Sequence, residues 1–329
     1  MGLIVGALCL VAYQGSAFTF GPPHWPLPER TAAPSARLGI PAPLPDAGHP
    51  FTVASSATLL GLYDRASYDL GTVRAGETDV PRLYLTALPA DFDRVEDVGP
   101  RKDAFLRTVL PLILRVNAEI EIDRTRVSAL LERLRNDEKL RRSDAEWLIS
   151  IARQYGVIDG DAANPETALT GAAGRTLLLR VDAVPVPLAL AQAIVESGWG
   201  RSRFAREGNA LFGQWTWDKS QGLAPSGAPE AGHAVRAFGS LLDSVRGYMH
   251  NLNTHASYRE FRAARADGAS PRALARTLIR YSERGAVYGE ELVALMAQND
   301  LEDFRDARLG ATNIRRGVGW DSLEDIPQS

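Results

Sequence analysis

From Arg101 to Arg135, Phe105, Leu106, Val109, Leu110, Ile113, Asn117 and Ile120 return at the three- and four-residue spacing of one helical face. A run of this kind commits the chain to a largely helical fold. Pro111 lies inside it and is expected to kink the helix, because proline lacks an amide hydrogen and its ring crowds the preceding turn. Two more helices announce themselves by their ends. In "SDAEW", Ser143 and Glu146 have the spacing of a capping box. Trp147, Leu148, Ile151 and Tyr155 follow on one side, and Gly156 is placed to stop the helix. In "VPVPLALAQAIVESG", Pro187 suits the first helical position and Gly198 the residue just past the end. Leu188, Ala191, Gln192 and Val195 share a face of that helix.

Residues 209–239 change character. "NALFGQWTW", a Gly/Pro/Ser-rich turn and "HAVRAF" read as a β-hairpin or small β-lobe. Helices resume at 240–256, 258–266, 271–281 and 287–298, and the weak periodicity after Asp300 predicts an irregular tail. Residues 51–97 are mixed, with "PRLYLTALP" a short strand or extended arm. The expected fold is mainly α, with a small β-hairpin lobe, preceded by an extended arm and a long helix.

Residues 3–12, "LIVGALCLVA", are apolar over the length of a signal-peptide core and shorter than the ~20 residues that span a bilayer. Gly15 and Ala17 are placed for a cut after Ala17. Nine prolines between residues 18 and 50 read as an extended linker. The expected organisation is a signal peptide or membrane anchor at 1–17, a linker at 18–50 and an arm and helical region at 51–140. A catalytic-type domain at 141–300 and the tail at 301–329 complete it. Export to the periplasm follows as an expectation, with inner-membrane association if the segment is retained. The only cysteine, Cys9, falls inside that segment, so an exported form would have no thiol for disulfides, metal or nucleophilic catalysis. A net charge of −3 argues against a dedicated nucleic-acid binder. His24, His49, His233, His250 and His255 show no metal-binding spacing, and no cofactor is expected.

Glu196 ends the apolar helix, beside Ser197, Gly198, Trp199 and Gly200. The negative end of the helix dipole disfavours an ionised carboxylate there. Burial against Trp199 and the helix's apolar neighbours would act the same way. A carboxyl that stays protonated near neutrality can donate to a glycosidic oxygen. A helix-end glutamate paired with Arg201 or Arg203 is the plain alternative.

The longer stretch "ALAQAIVESGWGRSRFAREGNALFGQW" resembles the signature of bacterial cell-wall N-acetylglucosaminidases, a group that includes flagellar peptidoglycan hydrolases and autolysins. The matching parts are the E-S-G-W-G run from Glu196 to Gly200 and the N-x-L-F-G run from Asn209 to Gly213. "VPRLYLTALP" and "RKDAFLRTVLPLILRVNAEIEIDR" resemble the N-terminal part of Bax-type glucosaminidase-domain proteins of Gram-negative bacteria. The resemblance implies a lysozyme-like helical domain, cleavage of peptidoglycan glycan strands after N-acetylglucosamine, and Glu196 as the catalytic acid. It also implies a second acidic residue on the β-lobe, for which Asp218 and Glu230 are candidates, with Glu230 preferred because it lies across the turn from the tryptophan strand.

The family's Tyr-Ala-Thr-Asp-Pro-x-Tyr segment is replaced here by Tyr281-Ser-Glu-Arg-Gly-Ala-Val-Tyr288. Tyr288 opens a helix and resembles the tyrosine of lytic transglycosylases, so it is the first choice for a site tyrosine and Tyr281 the second. Trp215 and Trp217 alternate along a strand, and with Gln214, Trp199 and Ser197 they are the expected substrate contacts. Ser197 would orient the Glu196 carboxylate or cap the helix end. Two other readings stay open: a lytic transglycosylase acting at N-acetylmuramic acid, and a wall-glycan-binding module without catalysis.

Overall fold

The computed structural model describes residues 48–159, 164–224 and 234–311. The expected signal segment, nearly all of the linker and Glu230 lie outside the described residues. The chain is mainly α and of lysozyme-like type. Its arm comprises β1 (Pro50–Phe51), α1 (Ser56–Arg65), α2 (Leu70–Arg74) and β2 (Tyr84–Leu85), with β1 and β2 paired in parallel. The long helix α3 (Val98–Arg135) follows.

α3 runs as one helix through Pro111 rather than breaking there. From Ala104 to Asn117 all but Arg107 and Arg115 are buried, so packing on every side holds the helix across the missing amide bond. α4 (Arg142–Gln154) begins without the expected capping box. Arg141 takes the cap position, and the buried Asp144 accepts from Arg126 at 3.0 Å and from Arg141 at 2.8 Å instead. Glu146 pairs outward with Arg142 at 2.7 Å. Charge pairing across helices has displaced the local cap.

The short helices α5 (Pro165–Ala168) and α6 (Ala172–Arg180) lead to α7 (Val186–Ser197), which has Pro187 in its first turn and Gly198 in the left-handed conformation at its end. Asn117 of α3 fixes the entry to α7 from both sides. Its Nδ2 donates to the Val184 carbonyl at 2.7 Å, and its Oδ1 accepts from the Val184 amide at 3.0 Å. α8 (Arg203–Gly208) follows, and then a three-stranded antiparallel sheet, not a simple hairpin. Its strands are β3 (Trp215–Thr216), β4 (Gly222–Leu223) and β5 (Ala234–Arg236), in the order β3-β5-β4. Four helices complete the order: α9 (Leu241–Thr254), α10 (Arg259–Ala266), α11 (Pro271–Thr277) and α12 (Ala286–Gln298).

α7 sits at the centre, packed against α3, α11, α12 and the 3-10 turn Leu301–Phe304. One hydrophobic core runs from the arm through α3 and α7 into α9 and α12. After Asp300 the chain packs onto the core as far as it is described: Leu301 and Phe304 are fully buried, and Val80 exchanges backbone bonds with Arg308 and Gly310. Among the described residues no helix is long and apolar enough to cross a membrane.

Candidate active site

Glu196 is the penultimate residue of α7 and keeps partial solvent access. Its Oε1 accepts a hydrogen bond of 2.8 Å from the Tyr288 hydroxyl, on the first turn of α12. The Tyr288 oxygen in turn accepts from Gln192 Nε2 at 3.1 Å, and Gln192 Oε1 accepts from the Tyr248 hydroxyl of α9 at 2.7 Å. Gln192, Tyr248 and Tyr288 are completely buried. Gln192 meets this network because it lies one helical turn before Glu196, on the same face.

Two stacked aromatic pairs close the constellation. Tyr281 lies parallel to Tyr288, with centroids 5.5 Å apart, and its hydroxyl donates to the Phe212 carbonyl at 3.2 Å. The Phe212 ring stacks on Tyr248 at 3.8 Å. The N-x-L-F-G segment is thus clamped to the same tyrosines that serve Glu196. Gly213 follows at φ +59°, where a side chain is strained, and a Cβ there would lie 3.4 Å from Glu196 Oε2.

Desolvation pushes the Glu196 carboxyl up from an ordinary 4.5 to about 7. The Tyr288 hydrogen bond and the Arg284 guanidinium oppose that rise, and Glu291 adds to it. Arg284 and Glu291 form an ion pair with each other, and Arg284 lies 5.3 Å from the Tyr288 ring centroid. Tyr288 is itself held well above the ordinary phenol range by burial and the adjacent glutamate, so it stays a neutral donor at working pH. The arrangement is a carboxyl raised well above its ordinary range, whose Oε1 is engaged by a phenol and whose Oε2 lies against a glycine.

The structure therefore brings Glu196, Tyr288 and Tyr281 together. Other expected contacts fall elsewhere. Trp199 is not the wall beside Glu196. Its ring meets Phe105 edge-on at 5.9 Å, Lys102 Nζ sits 4.6 Å from its centroid, and it lines a separate cavity with Arg74 and Asn299. Gly198, Trp199 and Gly200 all have positive φ, and the turn they make directs the indole to α3. Ser197 is buried: it donates to the Ala193 carbonyl at 2.6 Å and accepts from the Gly200 amide at 3.0 Å, clipping the helix end.

Asp218 is occupied as a turn cap, accepting from the Ser220 amide and hydroxyl and from Gln221. Those bonds, the Ser220 hydroxyl's first, hold its carboxyl below the usual range. Trp215 is part-exposed opposite Val235, and Trp217 beyond the strand is 68% exposed. Gln214 turns its Oε1 inward against Gly247 of α9. The residues that sequence reading passed over are Gln192, Tyr248 and the Arg284–Glu291 pair. For Gln192 the signal was available: a lone amide in an apolar helix, four residues before the glutamate.

A family model described as mannosyl-glycoprotein endo-beta-N-acetylglucosaminidase, the glucosaminidase domain, matches residues 176–301. Protein bax of Escherichia coli (strain K12) is 33% identical over 228 residues, covering 65% of this chain and 75% of that protein. The chain is a Bax-type glucosaminidase-domain protein. The family is one of glycoside hydrolases, and such a domain implies a glycan substrate. The matched span of this glucosaminidase-domain protein holds Glu196, Tyr248 and Tyr288. The similarity to Protein bax is too long to fit between residue 176 and the end of the chain, so it also takes in part of α3. No solved structure gives a significant match.

Proposed function

We propose that this protein is a peptidoglycan hydrolase that cleaves the glycosidic bond following N-acetylglucosamine, in the periplasm, with Glu196 as proton donor. The observation that carries the reading is the 2.8 Å bond from Tyr288 to a carboxyl held protonated to about pH 7. The glycosidic oxygen takes the proton from Glu196, and Tyr288 stabilises the carboxylate left behind. The exposed ring of Trp217 on the β-lobe offers an apolar face of the kind that sugars stack on. Glu196→Gln keeps the shape and removes the acid. Digestion of purified peptidoglycan by this variant is expected to fall by about 10²–10⁴-fold, the usual contribution of a positioned general acid. Wild-type rates from the variant would refute the assignment.

One observation favours a second chemistry at the same site. Among the described residues, the acidic group in the Glu196 surroundings is Glu291, which Arg284 holds. A covalent glycosyl-enzyme would require a second carboxyl at about 5 Å with access to the sugar. Glu230 lies outside the described residues; a single carboxyl supports assistance by the substrate's own acetamido group, or intramolecular closure by a lytic transglycosylase. Mass spectrometry of the released fragments separates them. Reducing N-acetylglucosamine ends support hydrolysis after that sugar, and anhydro ends at muramic acid support the transglycosylase.

A further inference from the structure

We propose that Gln192 is a positioning residue: its amide sets the direction of the Tyr288 hydroxyl, which leaves the acid proton of Glu196 on Oε2. The inference rests on Glu196 being the proton donor. The polarity follows from counting hydrogens. The amide nitrogen of Gln192 can only donate, and at 3.1 Å it donates to the Tyr288 oxygen. The single proton of Tyr288 must then point away from Gln192, and Glu196 Oε1 receives it at 2.8 Å. The amide oxygen of Gln192 is kept on the other side by the Tyr248 hydroxyl at 2.7 Å. The Tyr248 ring that carries this hydroxyl is fully buried and stacked on Phe212, which fixes the position of its oxygen.

With Oε1 occupied as an acceptor, the carboxylic proton belongs on Oε2, the oxygen that lies beside Gly213 rather than Tyr288. Without the Gln192 donor, a second arrangement becomes available. Glu196 could donate its proton to Tyr288 and hold it away from the substrate. Gln192 excludes that arrangement from 0% exposure, without touching the glycan.

The other groups around Glu196 do not duplicate this control. From α12 and the residues before it come Tyr288, Glu291 and Arg284, and the last two pair with each other. Tyr248 of α9 and Tyr258, next to α10, lie close enough for the carboxylate to raise both phenols. The Gly213 segment brings no titratable group to the carboxyl.

The test pairs two variants with two readouts. In Gln192→Leu the protonated carboxyl gains its second arrangement and the ionised one loses a polarised donor. Both effects move the Glu196 titration upward while catalysis slows. A net hydrogen bond is worth about 1 kcal/mol, so kcat is expected to fall about fivefold with KM unchanged. The alkaline limb of the pH profile should move to higher pH.

Gln192→Glu carries one acceptor and one donor while it is protonated, so it should recover activity at acidic pH and lose it steeply as pH rises. Carboxyl NMR of the Glu196 titration, assigned with Glu196→Gln, reads the same shift without any turnover. A Gln192→Leu protein that melts lower but keeps the wild-type titration and limb would make Gln192 merely structural and overturn the inference. Absence of glycan cleavage by the wild type would instead defeat the functional reading, and the NMR shift would still test the polarity.

Discussion

A carboxyl that keeps its proton to about pH 7 imposes a cost on the folded chain, and that cost has a sign. Glu196 titrates higher in the fold than its ordinary 4.5, so its contribution to stability is complete below 4.5 and is lost as pH rises through about 7. The loss is at most about 3 kcal/mol, given 1.36 kcal/mol per unit. Glu196→Gln is therefore expected to melt higher than the wild type at pH 8 and alongside it at pH 4.5. Equal differences at both pH values would contradict a raised carboxyl. The identity of this residue could be read from its place at a helix end inside two joined motifs. What desolvates it could not. Trp199 looks like the natural wall in a linear reading, but three successive positive-φ residues turn the indole onto Phe105. The burial comes instead from tyrosines more than fifty residues away in the chain.

The turn between α7 and α8 shows what one element boundary demands. Gly198 could be recognised as a helix stop, because a left-handed residue commonly follows a helix end. Gly200 carries a further constraint that no local pattern reveals. At φ +77°, a Cβ there would meet Phe92 at 2.8 Å and Leu88 and Phe105 at 3.1 Å. Gly200→Ala combines left-handed strain of about 1–2 kcal/mol with overpacking of about 1–3 kcal/mol. A stability loss of about 2 kcal/mol or more is expected in denaturant melts, with reduced activity because the displaced end of α7 carries Glu196. A neutral substitution would mean that the turn relaxes freely and does not fix the acid. Helices α3, α4, α7, α9, α10 and α12 follow from spacing, since their apolar faces repeat locally. The capping box before α4 did not form because Asp144 found two arginines, one of them eighteen residues away. Local rules predict an end only where no distant charge competes for it.

At the scale of the molecule, one hydrophobic core runs on both sides of residue 140, the boundary where the helical region is expected to meet the catalytic-type domain. α3 lies before the boundary and packs on α6, α7 and α9 beyond it, while Arg82 of the arm donates to the Gly310 carbonyl at 2.7 Å. The similarity to Protein bax also reaches into α3, beyond the domain match that begins at residue 176. Val109, Leu110, Leu112 and Ile113 of α3 are fully buried. At about 1.5–3 kcal/mol each, these four side chains alone approach the 5–15 kcal/mol that typically separates folded from unfolded chains. Asn117 adds the two bonds that set the start of α7, and hence the register of the helix that ends in Glu196. Residues 48–311 are therefore expected to melt in one cooperative transition. Residues 141–311 expressed alone should show none by calorimetry and should aggregate through the apolar surface that α3 covers. Supplying residues 48–140 in trans would restore folding if the interface is the whole deficit. A stable, active 141–311 fragment would instead make the arm and long helix an accessory, and the acid would owe its position to α12 and α9 alone.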